Sequence, residues 1–159
     1  MAGPERDDLM DAYITAWNSH EPVAVADFFE ADATYDDRGA GELARGTREI
    51  RALVERVLVA FGDLRFEIVR AAHGDDFTAG EWRAEMTHTG NLFGLAATGR
   101  RLQTAGVDVA TIESSGKISR LVSYYDGAQM MRALGLLPAR GSRIERAGLK
   151  LFSLPRLRP

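Results

Sequence analysis

The 159-residue chain contains no cysteine. That excludes a disulfide framework, a thiol nucleophile and a thiolate metal site. Its three histidines, His20, His73 and His88, are too scattered to form a helical zinc motif. No glycine-rich phosphate loop follows a strand pattern, and no nucleophile elbow occurs. Long apolar runs are also missing, since none approaches the roughly 18 residues of a membrane span. The opening MAGPERDDLM has no basic segment followed by an apolar one, which argues against a secretory leader and for the cytoplasm. Chemistry without a metal or an organic cofactor remains. Its usual agents are carboxylates, tyrosine and histidine in a dry cavity, where burial moves pKa values toward neutrality.

Positive charge is scarce outside the last segment. Residues 139 to 159 carry six Lys/Arg against Glu145, a net of +5, so the formal charge of −3 leaves −8 on the rest. An acidic body argues against a nucleic-acid-binding core, because phosphate contacts need a clustered basic face. The tail could by itself meet an anionic partner or a membrane surface, but packing against its own body or a second subunit is the expectation. With 45% hydrophobic and 27% charged residues, the chain reads as one globular domain over 1–138 followed by a basic extension over 139–159.

Leu9, Met10, Tyr13, Ile14 and Trp17 fall at helical spacing, with acidic residues ahead of them. A short helix is expected over Val23–Phe29 after Pro22. ATYDD at 33–37 then reads as a brief strand entering a loop with Gly39, Gly41 and Gly46. Thr47 resembles an N-cap for a third helix whose apolar stripe is Ile50, Leu53, Val54, Val57, Leu58 and Phe61, ended by Gly62. From there the period changes to two, giving strands at 64–72, 77–90, 101–113 and 117–125, the last pair joined by ESSGK. Three helices followed by an antiparallel meander indicate an α+β domain, with helices on one face of a curved sheet. Such a cone is a natural small-molecule pocket. Beyond Pro138, SRIERAGLKLFSL has the pattern of a short amphipathic helix.

The stretch AGVDVATI, residues 105–112, sets Asp108 in an otherwise apolar strand. A buried carboxylate must shift its pKa, find hydrogen bonds or face a cavity. Alternation puts it on one face with Leu102, Thr104, Gly106, Ala110 and Ile112, where the small neighbours leave room. In the preceding strand Trp82, Ala84, Met86 and His88 share the inward face opposite Glu81, Arg83, Glu85 and Thr87. An inward His88 is either a catalyst or a satisfied core histidine. Tyr35 and Asp37 share a side with Asp36 opposite, so only one of the adjacent acids enters a cavity, unless both are solvated. Tyr13 and Trp17, four apart, project from one helix face and taken alone are core aromatics.

Together these residues resemble the nuclear-transport-factor-2-like (NTF2-like) superfamily over about residues 6–137, in particular its ketosteroid isomerases and SnoaL-like polyketide cyclases. AYITAWNSHEPVAVADFFEADATYDD is similar to the opening of the isomerases, and THTGNLFGLAATGRR at 87–101 to a stretch of the SnoaL-like group. On that pattern Tyr13 matches the oxyanion-binding tyrosine, Asp37 the catalytic base and Asp108 the second aspartate, which stays protonated. His88 and Asp108 fall on pocket positions of the SnoaL-like group. The resemblance implies catalysis by Asp37, Asp108, Tyr13 and His88, with Trp17, Tyr35, Trp82, Met86, Phe93 and Tyr125 around the substrate. It also implies a small hydrophobic carbonyl substrate, an enolate, secondary metabolism, no cofactor or metal, and a homodimer. A non-catalytic binding or scaffold domain of the same fold is the alternative. The limonene-epoxide-hydrolase branch is disfavoured, because LVSYYD carries Ser123 where that branch has an acid.

Overall fold

Leu9, Met10, Tyr13, Ile14 and Trp17 all turn inward from α1 (Leu9–Asn18) in the computed structural model, which describes residues 8–152. The helical spacing therefore marks the face that packs on the sheet. Helix α2 (Pro22–Ala26) starts on Pro22, whose fixed φ suits a first helical position. It is shorter than the expected Val23–Phe29. Phe29 opens β1 instead, because the Phe28 carbonyl accepts from Ile118 N–H at 2.8 Å, a sheet contact with a segment remote in sequence.

Strand β1 (Phe29–Asp37) is longer than the expected 33–37, and the glycine-containing loop returns as a further short strand, β2 (Glu42–Arg45), antiparallel to it. Helix α3 (Gly46–Ala60) buries Ile50, Leu53 and Val54 as the stripe predicts. Its cap position is Arg45 rather than Thr47. The Arg45 N–H donates to Glu49 Oε2 at 2.9 Å, so the acid of the first turn reaches back as in one half of a capping box.

The meander follows as β3 (Arg65–His73), β4 (Phe77–Thr87), β5 (Arg101–Ile112) and β6 (Ile118–Tyr125). Sheet order is β2-β1-β6-β5-β4-β3, and every neighbouring pair is antiparallel except β1 with β6, which is parallel. Strand β4 stops at Thr87, not at 90. His88 N–H then donates to the Arg100 carbonyl and Gly99 N–H to the His88 carbonyl, both at 2.9 Å, closing a long 88–100 loop at its base. The curved, unclosed sheet and its helices make an α+β fold of the NTF2-like kind. Trp82, Ala84 and Met86 join the core, while Arg70–Glu81 and Arg101–Glu85 ion pairs hold the outer face.

Two helices follow the sheet. Helix α4 (Gly127–Leu134) was not expected from periodicity; Asp126 caps it by accepting from Gln129 N–H at 2.9 Å, and Gly135 ends it with φ 84°. Helix α5 (Arg143–Phe152) realises the amphipathic pattern of the tail and meets α4 through Arg132 and Glu145 at 3.4 Å. The rest of the tail, with Pro155, Arg156, Arg158 and Pro159, lies outside the described residues. Among the described residues no helix is long and apolar enough to cross a membrane.

Candidate active site

Asp108 sits in the middle of β5, between Gly80 on β4 and Ser123 on β6, and is buried. Trp82 Nε1–H donates to its Oδ1 at 2.9 Å. The ring reaches that position because its cross-strand partner is Gly106, where a Cβ would stand 2.5 Å from Trp82 Cζ2. Burial pushes the Asp108 carboxyl up to about 6; the Ser123 and Trp82 hydrogen bonds work against the shift and the charge of Asp37 adds to it.

Asp37 closes β1 and turns inward with Tyr35, while Asp36 turns outward to pair with Arg38 at 2.7 Å. The alternation at 35–37 thus separates the two acids as expected. Asp37 Oδ1 accepts from Ala40 N–H at 2.8 Å and Oδ2 from the Tyr125 hydroxyl at 3.1 Å. Gly39 is to Tyr125 what Gly106 is to Trp82, since a Cβ there would lie 2.2 Å from Tyr125 Cζ. Burial raises the Asp37 pKa, and the Ala40 and Tyr125 hydrogen bonds hold part of it back. The Tyr125 hydroxyl is itself pushed far up by burial and by the Asp37 charge, so it stays protonated and donates.

Both carboxylates open on one apolar cavity of about 100 Å³, small beside the roughly 300–1,000 Å³ of pockets that hold drug-sized ligands. One wall is a run of rings: Trp17 on Phe66 (5.5 Å), Phe66 on Trp82 (5.2 Å) and Trp82 on Tyr125 (6.0 Å). Tyr35 and Met86 complete the interior, and Met130, Met131 and Leu134 of α4 close one side. Phe93 lies at the mouth, 66% exposed and held at φ 49°. No Lys, Arg or His lines the cavity among the described residues, and no three metal-ligating side chains cluster there.

The sequence pattern of the SnoaL-like polyketide cyclases matches residues 7–134. The chain belongs to that family. Solved structures share the SnoaL-like architecture at identities that speak for the fold alone. AclR from Streptomyces galilaeus, described as a candidate hydroxylase, superposes with a TM-score of 0.74 at 22% identity, over 92% of this chain and 91% of its own. A protein of ketosteroid isomerase-like fold from Catenulispora acidiphila gives 0.71 at 20%, over 89% and 99%. IdmH from Streptomyces antibioticus, described as a candidate polyketide cyclase, gives 0.68 at 19%, over 80% and 96%. A search of curated proteins found no match.

Of the ten residues expected around a SnoaL-like site, eight line the cavity: Asp37, Asp108, Trp17, Tyr35, Trp82, Met86, Phe93 and Tyr125. Tyr13 and His88 do not. Tyr13 packs edge-on against Phe28 and Phe29 at 5.7 and 6.0 Å, and its hydroxyl is buried beside Trp17 and Tyr35. Burial and the Asp108 charge push its pKa up, so it remains a proton donor that stands off the cavity surface. His88 is fully buried on Phe61, and its Nδ1 accepts from Thr98 N–H at 3.2 Å. The ring proton therefore belongs on Nε2, which is buried without a partner. His88 pins the 88–100 loop that carries Phe93 to the mouth. Ser123, Glu42 and the α4 methionines also line the cavity but were not expected to. The cap pair Asp126 and Gly135 was the sequence signal for α4.

Proposed function

We propose that this SnoaL-like protein is an acid/base enzyme that removes a proton beside a carbonyl of a small hydrophobic substrate. The observation that carries the reading is the convergence of Asp37 and Asp108 on one apolar cavity in unlike surroundings. Asp37, which keeps a backbone N–H and a phenol as donors, is the base and takes the proton from carbon. The electron pair moves onto the carbonyl oxygen, which accepts a hydrogen bond from the protonated fraction of Asp108. The enolate is then reprotonated at another carbon, an isomerisation, or attacks a second carbonyl of the same molecule, a cyclisation. Two carboxyls in unlike surroundings are the usual basis of such a division of labour. The Tyr13 hydroxyl does not line the cavity and enters no step of this proposal. The small cavity favours a second reading, a domain that binds a carbonyl compound without turnover.

The two readings separate in a solvent-exchange experiment. Small cyclic β,γ-unsaturated ketones and β-diketones are incubated with the protein in D2O, and deuterium uptake at the carbon next to the carbonyl is followed by NMR. The wild type accelerates uptake, and Asp37→Asn loses about 10²- to 10⁴-fold of the acceleration. Equal uptake by the wild type and Asp37→Asn would remove Asp37 as the base. Binding of these compounds without any accelerated uptake would establish the second reading.

A further inference from the structure

Among the described residues, the three charged side chains that line the cavity, Asp37, Glu42 and Asp108, are all acidic. Glu42 is ion-paired with Arg56. That leaves Asp37 and Asp108, whose donors are the Ala40 N–H, the Tyr125 phenol, the Ser123 hydroxyl and the Trp82 indole, all neutral. Buried carboxylates are ordinarily balanced by a cation, and no lining residue supplies one among those described. The surface from which both acids are held is aromatic, with Trp82 holding one and Tyr125 the other, their centroids 6.0 Å apart. Ring faces attract organic cations, most strongly where water is excluded.

We propose that the substrate carries a tertiary or quaternary ammonium group, seated against the Trp82 and Tyr125 rings with Asp37 and the ionised fraction of Asp108 as its counter-charges. The inference rests on the reading of this cavity as the site of enolate chemistry and names the substrate class for it. The ammonium also meets a need of that chemistry. The Tyr13 hydroxyl does not line the cavity, and no cationic side chain among the described residues does. A positive charge on the substrate itself offsets the negative charge that develops on oxygen. A volume of about 100 Å³ suits a compact head group of this kind.

Trp17 and Trp82, the only tryptophans in the chain, both line the cavity, so intrinsic fluorescence reports on its contents. The test titrates the full chain at pH 7.5 with choline and with its neutral isostere 3,3-dimethylbutan-1-ol. Choline binds about tenfold more tightly than the isostere, in the range expected for a desolvated cation on rings. Asp108→Asn removes most of that preference. A pH series on the unmodified protein keeps the test independent of variant folding. The titratable groups facing the two acids are each other, Glu42, and the hydroxyls of Tyr13, Tyr35 and Tyr125, which stay protonated. Lowering the pH from 7.5 to 5 therefore weakens choline and leaves the isostere unchanged. Equal binding of the two compounds would overturn the ammonium proposal and leave the cavity as a ligand site. Binding of neither would overturn the ammonium proposal too, while accelerated deuterium uptake by the ketone probes would still uphold the enolate reading.

Discussion

Trp82 donates to Asp108 at 2.9 Å because Gly106, its partner across the strand pair, has no side chain to block the indole. An added Cβ at Gly106 would lie 2.5 Å from both Trp82 Cζ2 and the Tyr124 carbonyl oxygen. Gly106→Ala therefore lowers stability by about 1–3 kcal/mol, as overpacking does, and displaces the ring from its carboxylate. Thermal unfolding together with the tryptophan emission maximum checks both effects. Gly148→Ala, where a Cβ meets nothing within 4 Å, is the control and keeps or raises the midpoint. Equal midpoints for the two variants would show that the ring is not wedged by Gly106.

Burial of Asp108 makes stability depend on pH in a definite direction. Its folded pKa of about 6 lies above the ordinary 3.8, so the native state favours the protonated form. The corresponding stability is fully present below pH 3.8 and is lost as pH rises through about 6, a swing of about 3 kcal/mol. Asp37 is shifted in the same direction and contributes in the same sense. Denaturant unfolding of the wild type from pH 4 to 8 falls through this window, and Asp108→Asn flattens the fall. Parallel curves for the two proteins would mean that Asp108 is not the group responsible.

His88 is expected to act on the 88–100 loop rather than on the reaction. Its Nδ1 accepts from the Thr98 N–H, and its backbone pairs with Gly99 and Arg100. His88→Ala frees the Thr98 amide and raises its hydrogen-exchange rate, with a stability loss of about 1–3 kcal/mol from the unmade bond. The pH profile of deuterium uptake by a carbonyl probe keeps its shape in that variant. A profile that loses a limb in a folded His88→Ala protein would place His88 in the proton transfer.

How much of the site was readable depended on how local the signal was. Asp108 could be assigned inward because five alternating neighbours from Leu102 to Ile112 share its face, and Asp37 because Tyr35 accompanies it. Ser123 shows the limit. It lies on an inward position of a predicted strand, yet its place opposite Asp108 depends on the β5–β6 register. The long 88–100 loop had no period to read, so its closure by His88 appears only in three dimensions.

By itself the sequence determined the amphipathic faces of α1 and α3, the inward set on β4 and β5, and the absence of thiol chemistry, because side-chain periodicity and composition are local properties. Only the tertiary structure decided that β1 joins β6 in parallel, that α4 closes the cavity, and that Trp17 lines it while Tyr13, one turn away on the same helix, does not. A helical face tells which way a side chain points. What it meets there is set by elements distant in the chain, here the Phe28 and Phe29 rings in front of Tyr13 and the Phe66 ring beside Trp17.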